Sequence, residues 1–331
     1  MRSGKVYRIP SLGFWKRYLI TMRPYLLFLS GSAGLVGMSL TRDLDNWKVA
    51  LGFLPFFFSY GLGQALTDVF QTDTDSISSP YRPLVRGEIT RSDVVATSII
   101  GFLIGIVIMG FLNPYIFIPG VIGVIGLATY TPFKRKWWGG PPWNSWIVSI
   151  LVLSGAMVSR DFNPIGEITS LTDQSIILIL SMAAVFFAYA NFVVTGYFKD
   201  ISADRSTGYD TIQVRFGWRA GAIYGDILSI LAVVSVLSAG ILSREGASII
   251  DWIWPVPLIL GGLINSRAQI IIHRIRNESK THGPILDVVR AFLFYCYSLI
   301  LIFEPSWIII LLPLHIGFEI VVWKRPEKSQ I

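Results

Sequence analysis

Two polar stretches of the chain combine carboxylates with basic side chains at spacings that suit phosphate chemistry. The first, residues 64–91, reads QALTDVFQTDTDSISSPYRPLVRGEITR. It brings together three aspartates and three arginines: Asp68, Asp73, Asp75, Arg82, Arg86 and Arg91. Mg²⁺ prefers carboxylate oxygens and commonly bridges a protein to phosphate groups. By itself this stretch predicts either a diphosphate-binding mouth with Mg²⁺ or a solvated loop between membrane helices.

The second stretch, residues 197–217, reads YFKDISADRSTGYDTIQVRFG. Asp200 and Asp204 are four residues apart, so on a helix they share one face. Asp68 and Asp75 are seven apart, which is two helical turns, and they are expected to share a face as well. Two helices that end in such faces can hold metal ions between them. The pair of acidic clusters therefore favours a metal site more strongly than either cluster alone.

A third feature supplies positive charge. Residues 130–135 read YTPFKR, and Lys134 and Arg135 follow an apolar run. Basic residues at this point commonly anchor a helix at the membrane surface. Beside a diphosphate they would bind its oxygens instead, Arg135 as a planar fork and Lys134 as a point charge. Lys199 adds a further positive charge next to the second acidic pair.

The elements that must position these residues are membrane helices. The 331-residue chain is 53% hydrophobic and only 15% charged. Ten apolar runs approach the roughly 20 residues needed to cross a bilayer: they lie near 19–40, 49–70, 93–112, 114–132, 145–160, 175–198, 219–243, 252–272, 285–303 and 306–322. Lipid offers no partner to unpaired backbone groups, so the runs are predicted to be helices. We expect one all-α, polytopic bundle over residues 1–331, with nine spans if Glu304-Pro305 is only a kink and ten otherwise.

The basic residues predict the orientation of the bundle. They concentrate in alternate loops, whereas 41–48 and 161–174 are neutral or acidic. This alternation predicts that both termini and both acidic stretches face the cytoplasm, with residues 1–17 as a basic segment on the inner membrane surface. The net charge of +7 is therefore read as a topology signal and not as a sign of nucleic-acid binding. Arg23 and Arg290, close to cytoplasmic helix ends, are expected to snorkel toward the surface.

Taken together, the motifs resemble those of the UbiA superfamily of intramembrane prenyltransferases. The family pattern NDxxDxxxD, followed by P-x-R-P, aligns with TDVFQTDTD and then SSPYRPLVRG. The second pattern, DxxDxxxD, aligns with YFKDISADRSTG, and YTPFKR is similar to the family's tyrosine and basic pair. The resemblance covers nearly the whole chain in order and spacing. It implies an all-helical fold, usually of nine spans, in an integral membrane protein.

Three positions depart from the family pattern. Thr67 replaces the asparagine of the first motif, Gln71 replaces its second aspartate, and Tyr197 replaces the first aspartate of the second motif. The first two positions are commonly metal ligands in the family, and both replacements still offer neutral oxygens. The resemblance implies that a Mg²⁺ site survives in altered form, with ligands from Asp68, Gln71, Asp75, Asp200 and Asp204.

The resemblance also implies the reaction, which is transfer of a polyprenyl group from an isoprenyl diphosphate to a small acceptor. The implied catalytic residues are Asp68, Asp75, Asp200, Asp204, Lys199 and Tyr130. The implied diphosphate-binding residues are Arg82, Lys134, Arg135 and Lys199. Ionisation of the donor would leave an allylic cation, which must be kept from water in an apolar chamber. Tyr130, Tyr197 and Trp143 are candidates to line that chamber and to stabilise the cation with their ring faces.

Two alternatives stay open at this point. On the same scaffold a terpene cyclase would capture the cation within its own chain, without an acceptor. A transporter or a non-catalytic membrane component is the alternative from another class. The acceptor is also open, because quinone-ring precursors, a glycerol phosphate, a chlorin and a sugar phosphate are all used in the family. The P-x-R-P turn leans slightly toward the branch that makes chlorophyll and archaeal ether lipids.

Overall fold

The protein is an all-helical bundle in the part that the computed structural model describes, namely residues 5–41, 44–160, 162, 172–243 and 252–325. Its α-helices, numbered here in chain order, are α1 Leu12–Met22, α2 Leu27–Ser39, α3 Asn46–Asp68, α4 Thr72–Ser78, α5 Arg91–Leu112, α6 Phe117–Lys134, α7 Gly140–Ala156, α8 Asp173–Tyr197, α9 Ile201–Ser206, α10 Ile212–Leu242, α11 Pro255–Arg274, α12 His282–Phe303 and α13 Ile308–Lys324. Each of the ten predicted apolar runs coincides with a long helix or with the pair α1–α2. Most of the acidic loop 161–174, and residues 1–4 of the predicted basic segment, lie outside the described residues.

Within those ranges, eight helices are long and apolar enough to cross a membrane, and counting α1 and α2 as one bent span makes nine. The axes of α1 and α2 differ by 52°. Helix α7, with 17 residues, is the predicted run that falls short, because at 1.5 Å per residue it reaches about 26 Å of the roughly 30 Å hydrocarbon core. The fold prediction of a polytopic helical bundle is confirmed.

Proline and glycine separate the helices. Helix α12 ends at Phe303 and α13 begins at Ile308, with a 3₁₀ turn over Pro305–Trp307 between them. The Glu304-Pro305 step is thus a junction between two helices and not a kink within one. Proline explains the break, because it has no N–H to donate to the preceding turn. Within α10 the backbone is interrupted at Gly217, whose φ of 84° and ψ of 174° are not helical.

The centre of the bundle is α12, the most buried of the membrane-crossing helices, while α5 and α13 are among the least buried. Small residues let neighbouring helices approach closely, as is usual in membranes. Where α2 meets α7, a Cβ added to Gly37 would lie 1.9 Å from the carbonyl oxygen of Val152. A Cβ on Gly155 would likewise lie 2.3 Å from the carbonyl oxygen of Gly34. The α2–α7 contact therefore depends on glycine at both positions.

Both acidic motifs lie where a long helix stops and a short one starts. Helix α3 ends at Asp68 before α4, and α8 ends at Tyr197 before α9. The two short helices meet through Thr74 and Thr207, whose hydroxyl oxygens are 3.3 Å apart. The expectation that Asp68 and Asp75 share one helix face is therefore wrong, because the helix breaks between them. What brings the two acidic motifs to the same place is the pairing of these short helices.

Candidate active site

A cavity of about 1020 Å³ runs between α1, α2, α3, α5, α6, α7 and α8. This volume is at the upper end of that of small-molecule pockets, roughly 300–1000 Å³. Its walls are mainly apolar, and its charged side chains collect at one end with three uncharged polar ones: Arg23, Asp75, Arg82, Lys134, Lys199, Asp200, Gln64, Thr67 and Gln71. Ile104 and Phe117, on α5 and α6, line the cavity and are 57% and 55% exposed. The cavity thus opens sideways between these helices, toward the surface that contacts lipid.

The carboxylates of the first motif are held by arginine. Asp68 is buried, and both of its oxygens accept hydrogen bonds from Nη2 of Arg23, at 3.0 and 3.1 Å. The amide of Gln64 donates to the same carboxylate at 2.6 Å, and Nη1 of Arg82 lies 3.5 Å from it. Arg82 also forms an ion pair with Asp75. Asp68 and Asp75 are therefore paired with protein cations.

The two departing positions of the first motif are also engaged. The Thr67 hydroxyl donates to the backbone carbonyl of Gln64 at 3.0 Å, within its own helix. The side-chain oxygen of Gln71 accepts from Nζ of Lys134 at 3.2 Å, and its amide nitrogen donates to the Thr131 hydroxyl at 3.5 Å. The oxygens at the positions of two common family metal ligands thus take part in hydrogen bonds within the protein.

The second motif differs, because two of its carboxylate oxygens accept no hydrogen bond from the described residues. Oδ1 of Asp200 and Oδ1 of Asp204 are buried and have no hydrogen-bond partner among the described residues. The other oxygen of Asp204 accepts from the Thr211 hydroxyl at 3.4 Å, and Nζ of Lys199 lies 3.9 Å from Oδ1 of Asp200. A buried carboxylate oxygen without a donor is costly unless a cation binds it. These two oxygens therefore fit a metal ion.

The five predicted metal ligands do not form a ready-made cage. Within the part of the chain that the structure describes, no group of three or more Asp, Glu, His or Cys side chains is arranged to hold a metal ion. Asp200 and Asp204 stay one helical turn apart, since the backbone N–H of Asp204 donates to the carbonyl of Asp200 at 2.7 Å. The fit to Mg²⁺ thus rests on these two carboxylates, together with oxygens that a diphosphate would bring.

The charged side chains of the second motif differ in how burial and neighbouring charges shift their pKa values. Burial raises the pKa of Asp204 to about 7, although Lys134 opposes the shift. Burial also acts to raise the pKa of Asp200, but the nearby Lys199 and Lys134 outweigh it and hold the pKa below its usual value. Burial lowers the pKa of Lys199 to about 8, with Asp200 opposing. Asp200 is therefore the more strongly ionised of the two carboxylates that fit a metal.

Two of the predicted aromatic residues line the cavity. The hydroxyl oxygens of Tyr130 and Tyr197 are 3.3 Å apart, and both side chains border the charged end. Nζ of Lys134 lies 5.8 Å from the ring centroid of Tyr197. A Cβ on Gly140 would lie 2.1 Å from the Tyr197 hydroxyl, so glycine makes room for this ring. The rings are thus adjacent to the place where a leaving diphosphate would sit.

Asp68 and Asp204 are buried and do not line the cavity, and two further predicted residues, Trp143 and Arg135, lie elsewhere. The indole N–H of Trp143 donates to the carbonyl of Gly126 at 3.0 Å, and its ring stacks on Phe133 at 3.6 Å, so it packs α7 against α6 and does not line the cavity. Arg135 is half exposed and pairs with Asp73 at 3.5 Å, outside the cavity. Helical rotation explains both positions, since adjacent residues point in directions about 100° apart.

The structure also adds residues that the sequence reasoning missed. Arg23 turns inward to Asp68 and does not snorkel. Further along the cavity, the hydroxyl of Tyr189 donates to that of Tyr60 at 3.1 Å, and the amide of Asn144 lies 3.5 Å from Tyr189. The Arg23-Pro24 step was a usable signal, because it predicts a helix break at a charged residue. The other three come from three helices and share no local pattern.

The model of the UbiA prenyltransferase family matches residues 27–283. The chain belongs to the UbiA prenyltransferase family. It is accordingly an integral, multi-pass membrane protein and a prenyltransferase. The matched range ends near the start of α12, so helix α13 lies beyond it.

Relatives and solved structures agree with this assignment. The chain is 27% identical over 223 residues to the digeranylgeranylglyceryl phosphate synthase of Thermococcus kodakarensis, covering 67% of this chain and 76% of the relative. It is 24% identical over 225 residues to the synthase of the same name from Methanocaldococcus jannaschii, and the match covers 66% of this chain and 74% of the relative. A UbiA homolog from Aeropyrum pernix K1 has the same fold, with a TM-score of 0.69, 20% identity and coverage of 86% and 98%. For a UbiA homolog from Archaeoglobus fulgidus bound to GPP and Mg²⁺, the TM-score is 0.63 and the sequence identity is 21%. The match covers 86% of this chain and 99% of the homolog.

Proposed function

We propose that this prenyltransferase moves a geranylgeranyl-type chain from its diphosphate to a glyceryl phosphate lipid precursor, with Mg²⁺ as cofactor. The observation that carries the proposal is the shape of the cavity, which is apolar, open toward lipid and closed at one end by buried charged residues. Such a cavity suits a long isoprenoid with a diphosphate head. The similarity to digeranylgeranylglyceryl phosphate synthases, named for a glyceryl phosphate with two such chains, supports a lipid-precursor acceptor.

The charged end would bind the diphosphate. Asp200 and Asp204 would hold Mg²⁺, which when bound neutralises the charge that collects on the leaving diphosphate. Arg82, Lys134 and Lys199 border the same end of the cavity and would contact the phosphate oxygens by charge-assisted hydrogen bonds. These side chains would keep the diphosphate in place while the C–O bond of the donor breaks.

The cavity wall would protect the allylic cation that this bond cleavage leaves. Tyr130 and Tyr197 border the charged end, so their ring faces can stabilise positive charge next to the diphosphate. The apolar side chains of α5 and α6 would exclude water until the acceptor hydroxyl attacks the cation, forming the new C–O bond and passing its proton to the released diphosphate. The acceptor is also a lipid, so it would enter through the same lateral opening between α5 and α6. In this proposal the acidic motifs face the cytoplasm, as the distribution of basic loops predicts.

The test uses the full chain purified in detergent, radiolabelled geranylgeranyl diphosphate, and Mg²⁺ or EDTA. Each reaction receives no acceptor, a glyceryl phosphate carrying one geranylgeranyl ether, or an aromatic acid. We expect Mg²⁺-dependent transfer to the glyceryl phosphate and a loss of at least 100-fold in Asp200→Asn. Asp73→Asn is the matched control, because Asp73 lies in the same region but is half exposed and outside the cavity.

Three outcomes would contradict the proposal. Transfer to the aromatic acid alone would assign a different acceptor class. Consumption of the donor without any acceptor would indicate a terpene cyclase. A folded protein that neither binds nor consumes the diphosphate would exclude prenyl transfer by this chain.

A further inference from the structure

The backbone at Arg23 is unusual. Its φ of 53° and ψ of 74° place it in the left-handed region, and among the described residues it is the one non-glycine residue with positive φ. Residues other than glycine rarely adopt this backbone conformation, and those that do concentrate at functional sites. The break between α1 and α2 falls here, with Pro24 next in the chain. The strained turn directs a largely buried guanidinium toward the first acidic motif.

That guanidinium fills the coordination capacity of Asp68. Both carboxylate oxygens accept from Arg23, the amide of Gln64 takes a further position, and Arg82 lies 3.5 Å away. A carboxylate has about four lone-pair positions for donors or metal ions. The side chains of Arg23 and Asp68 are only 17% and 2% exposed, so water does not compete strongly for these bonds. Asp68 thus has little left to offer a metal ion.

The two altered positions of the first motif are also engaged in hydrogen bonds within the protein. Thr67 and Gln71 stand where the family pattern has an asparagine and an aspartate. The Gln71 oxygen accepts from Lys134, and the Thr67 hydroxyl donates to the carbonyl of Gln64. The second motif keeps two carboxylates, Asp200 and Asp204, each with one buried oxygen that has no hydrogen-bond partner among the described residues. The two halves of the site are therefore unequal. The carboxylates of the first motif are paired with arginine, whereas the second motif, although Lys199 lies 3.9 Å from Oδ1 of Asp200, still has two acidic oxygens without a hydrogen-bond donor in the described part of the chain.

We infer that Arg23 stands in for one metal ion in this enzyme. In this arrangement a single divalent cation binds at Asp200 and Asp204, while the guanidinium that holds Asp68 takes the place of the cation of the first motif and contacts the diphosphate. Arg23 borders the cavity, and its planar fork carries five N–H donors, of which those on Nη2 serve Asp68. A guanidinium is matched to phosphate oxygens as well as to carboxylates. The inference rests on the proposed function, since it concerns how the same diphosphate is held.

The experiment counts metal ions and needs no turnover. Purified full-length protein in detergent is saturated with geranylgeranyl S-thiolodiphosphate, a non-reactive donor analogue in radiolabelled form. Mn²⁺ is then titrated and its free form is measured by electron paramagnetic resonance. We expect one tightly bound Mn²⁺ per bound analogue in the wild-type protein. Two tightly bound ions would overturn the inference and leave the proposed function intact, whereas failure to bind the analogue at any Mn²⁺ concentration would count against the proposed function itself.

Variants then locate the ion. Asp204→Asn should abolish Mn²⁺ binding, while Asp68→Asn should retain one ion. The reverse triple variant Arg23→Gly, Thr67→Asn, Gln71→Asp should gain a second ion, with glycine chosen because it tolerates the positive φ. Size-exclusion chromatography checks that the triple variant is folded. A folded triple variant that still binds only one Mn²⁺ would contradict the inference that Arg23 replaces a metal ion.

A control arginine separates this role from a general loss of charge. Arg17 lies on the same helix α1 and also pairs with a carboxylate, since its Nε is 2.5 Å from Oε2 of Glu88. It does not border the cavity. Arg17→Gly should therefore leave the count at one Mn²⁺ and the affinity for the analogue unchanged within twofold. Arg23→Lys, which keeps the charge but loses the planar fork, should weaken analogue binding at least tenfold without adding an ion.

Discussion

Replacing Asp204 by asparagine separates the charge of the most buried carboxylate of the site from its shape. Asp204 is fully buried, one of its oxygens has no hydrogen-bond partner among the described residues, and burial raises its pKa from 3.8 to about 7. The folded pKa is the higher one, so this group favours folding while it is protonated. That contribution is present below about pH 4 and is lost as the pH rises through about 7. Above pH 7 the metal-free protein carries the full cost of a buried charge that Lys134 and Thr211 offset only in part.

The size of this cost follows from the shift. Each pKa unit corresponds to about 1.4 kcal/mol, so ionisation of Asp204 destabilises the metal-free fold by about 2 kcal/mol at pH 5 and about 4 kcal/mol at pH 8. An asparagine side chain at this position would keep nearly the same volume and the contact with Thr211 without that charge. We therefore expect Asp204→Asn to be more stable than the wild type in EDTA, by a margin that grows with pH. Mg²⁺ with a donor analogue, at 100 times the dissociation constant, should add about 2.7 kcal/mol to the wild type and nothing to the variant.

The assay is thermal unfolding in detergent, followed by tryptophan fluorescence at pH 5 and pH 8. Each protein is measured in EDTA and again with Mg²⁺ and the thiolodiphosphate analogue. Asp73→Asn is the matched control, because the Asp73 side chain is 47% exposed and already pairs with Arg135 at the surface. It should behave as the wild type in every condition. The reasoning is refuted if Asp204→Asn is no more stable than the wild type in EDTA at pH 8, or if Mg²⁺ still stabilises it.

Three further predictions concern the cofactor, the packing of the bundle and its last helix. Removal of divalent cations by EDTA should abolish prenyl transfer, and Mg²⁺ should restore it in the radiolabel assay. Gly37→Ala should lower the melting temperature by several degrees, since the new Cβ would lie 1.9 Å from the carbonyl oxygen of Val152, while Gly110→Ala, with nothing within 4 Å, should not. Arg290 donates to both oxygens of Glu319 at 2.6 and 2.8 Å, so a double-mutant cycle between them should give a coupling of about 1–3 kcal/mol, and a value near zero would show that this pair does not fasten α13.

Much of the architecture could be predicted because lipid permits few solutions. Apolar runs of about 20 residues must form helices in a bilayer, so the helices were located from composition and length. The acidic motifs were located in the same way, since charged residues between apolar runs must lie at helix ends. The helix breaks inside the motifs were not predicted. The spacing of Asp68 and Asp75 fits one continuous helix equally well, and the break became visible only with α3 and α4 in place.

The sequence by itself predicted which groups could meet a diphosphate: four aspartates, two lysines and two arginines near helix ends. Which of these groups are already paired was decided only by the tertiary structure. Arg23 is 45 residues from Asp68, and the bond between them depends on the left-handed turn at Arg23 and on the packing of α1 against α3. Trp143 and Arg135 have the right residue types but point away from the cavity. Residue type and spacing specify chemistry along one helix, whereas the rotation and packing of several helices decide which side chains share a cavity.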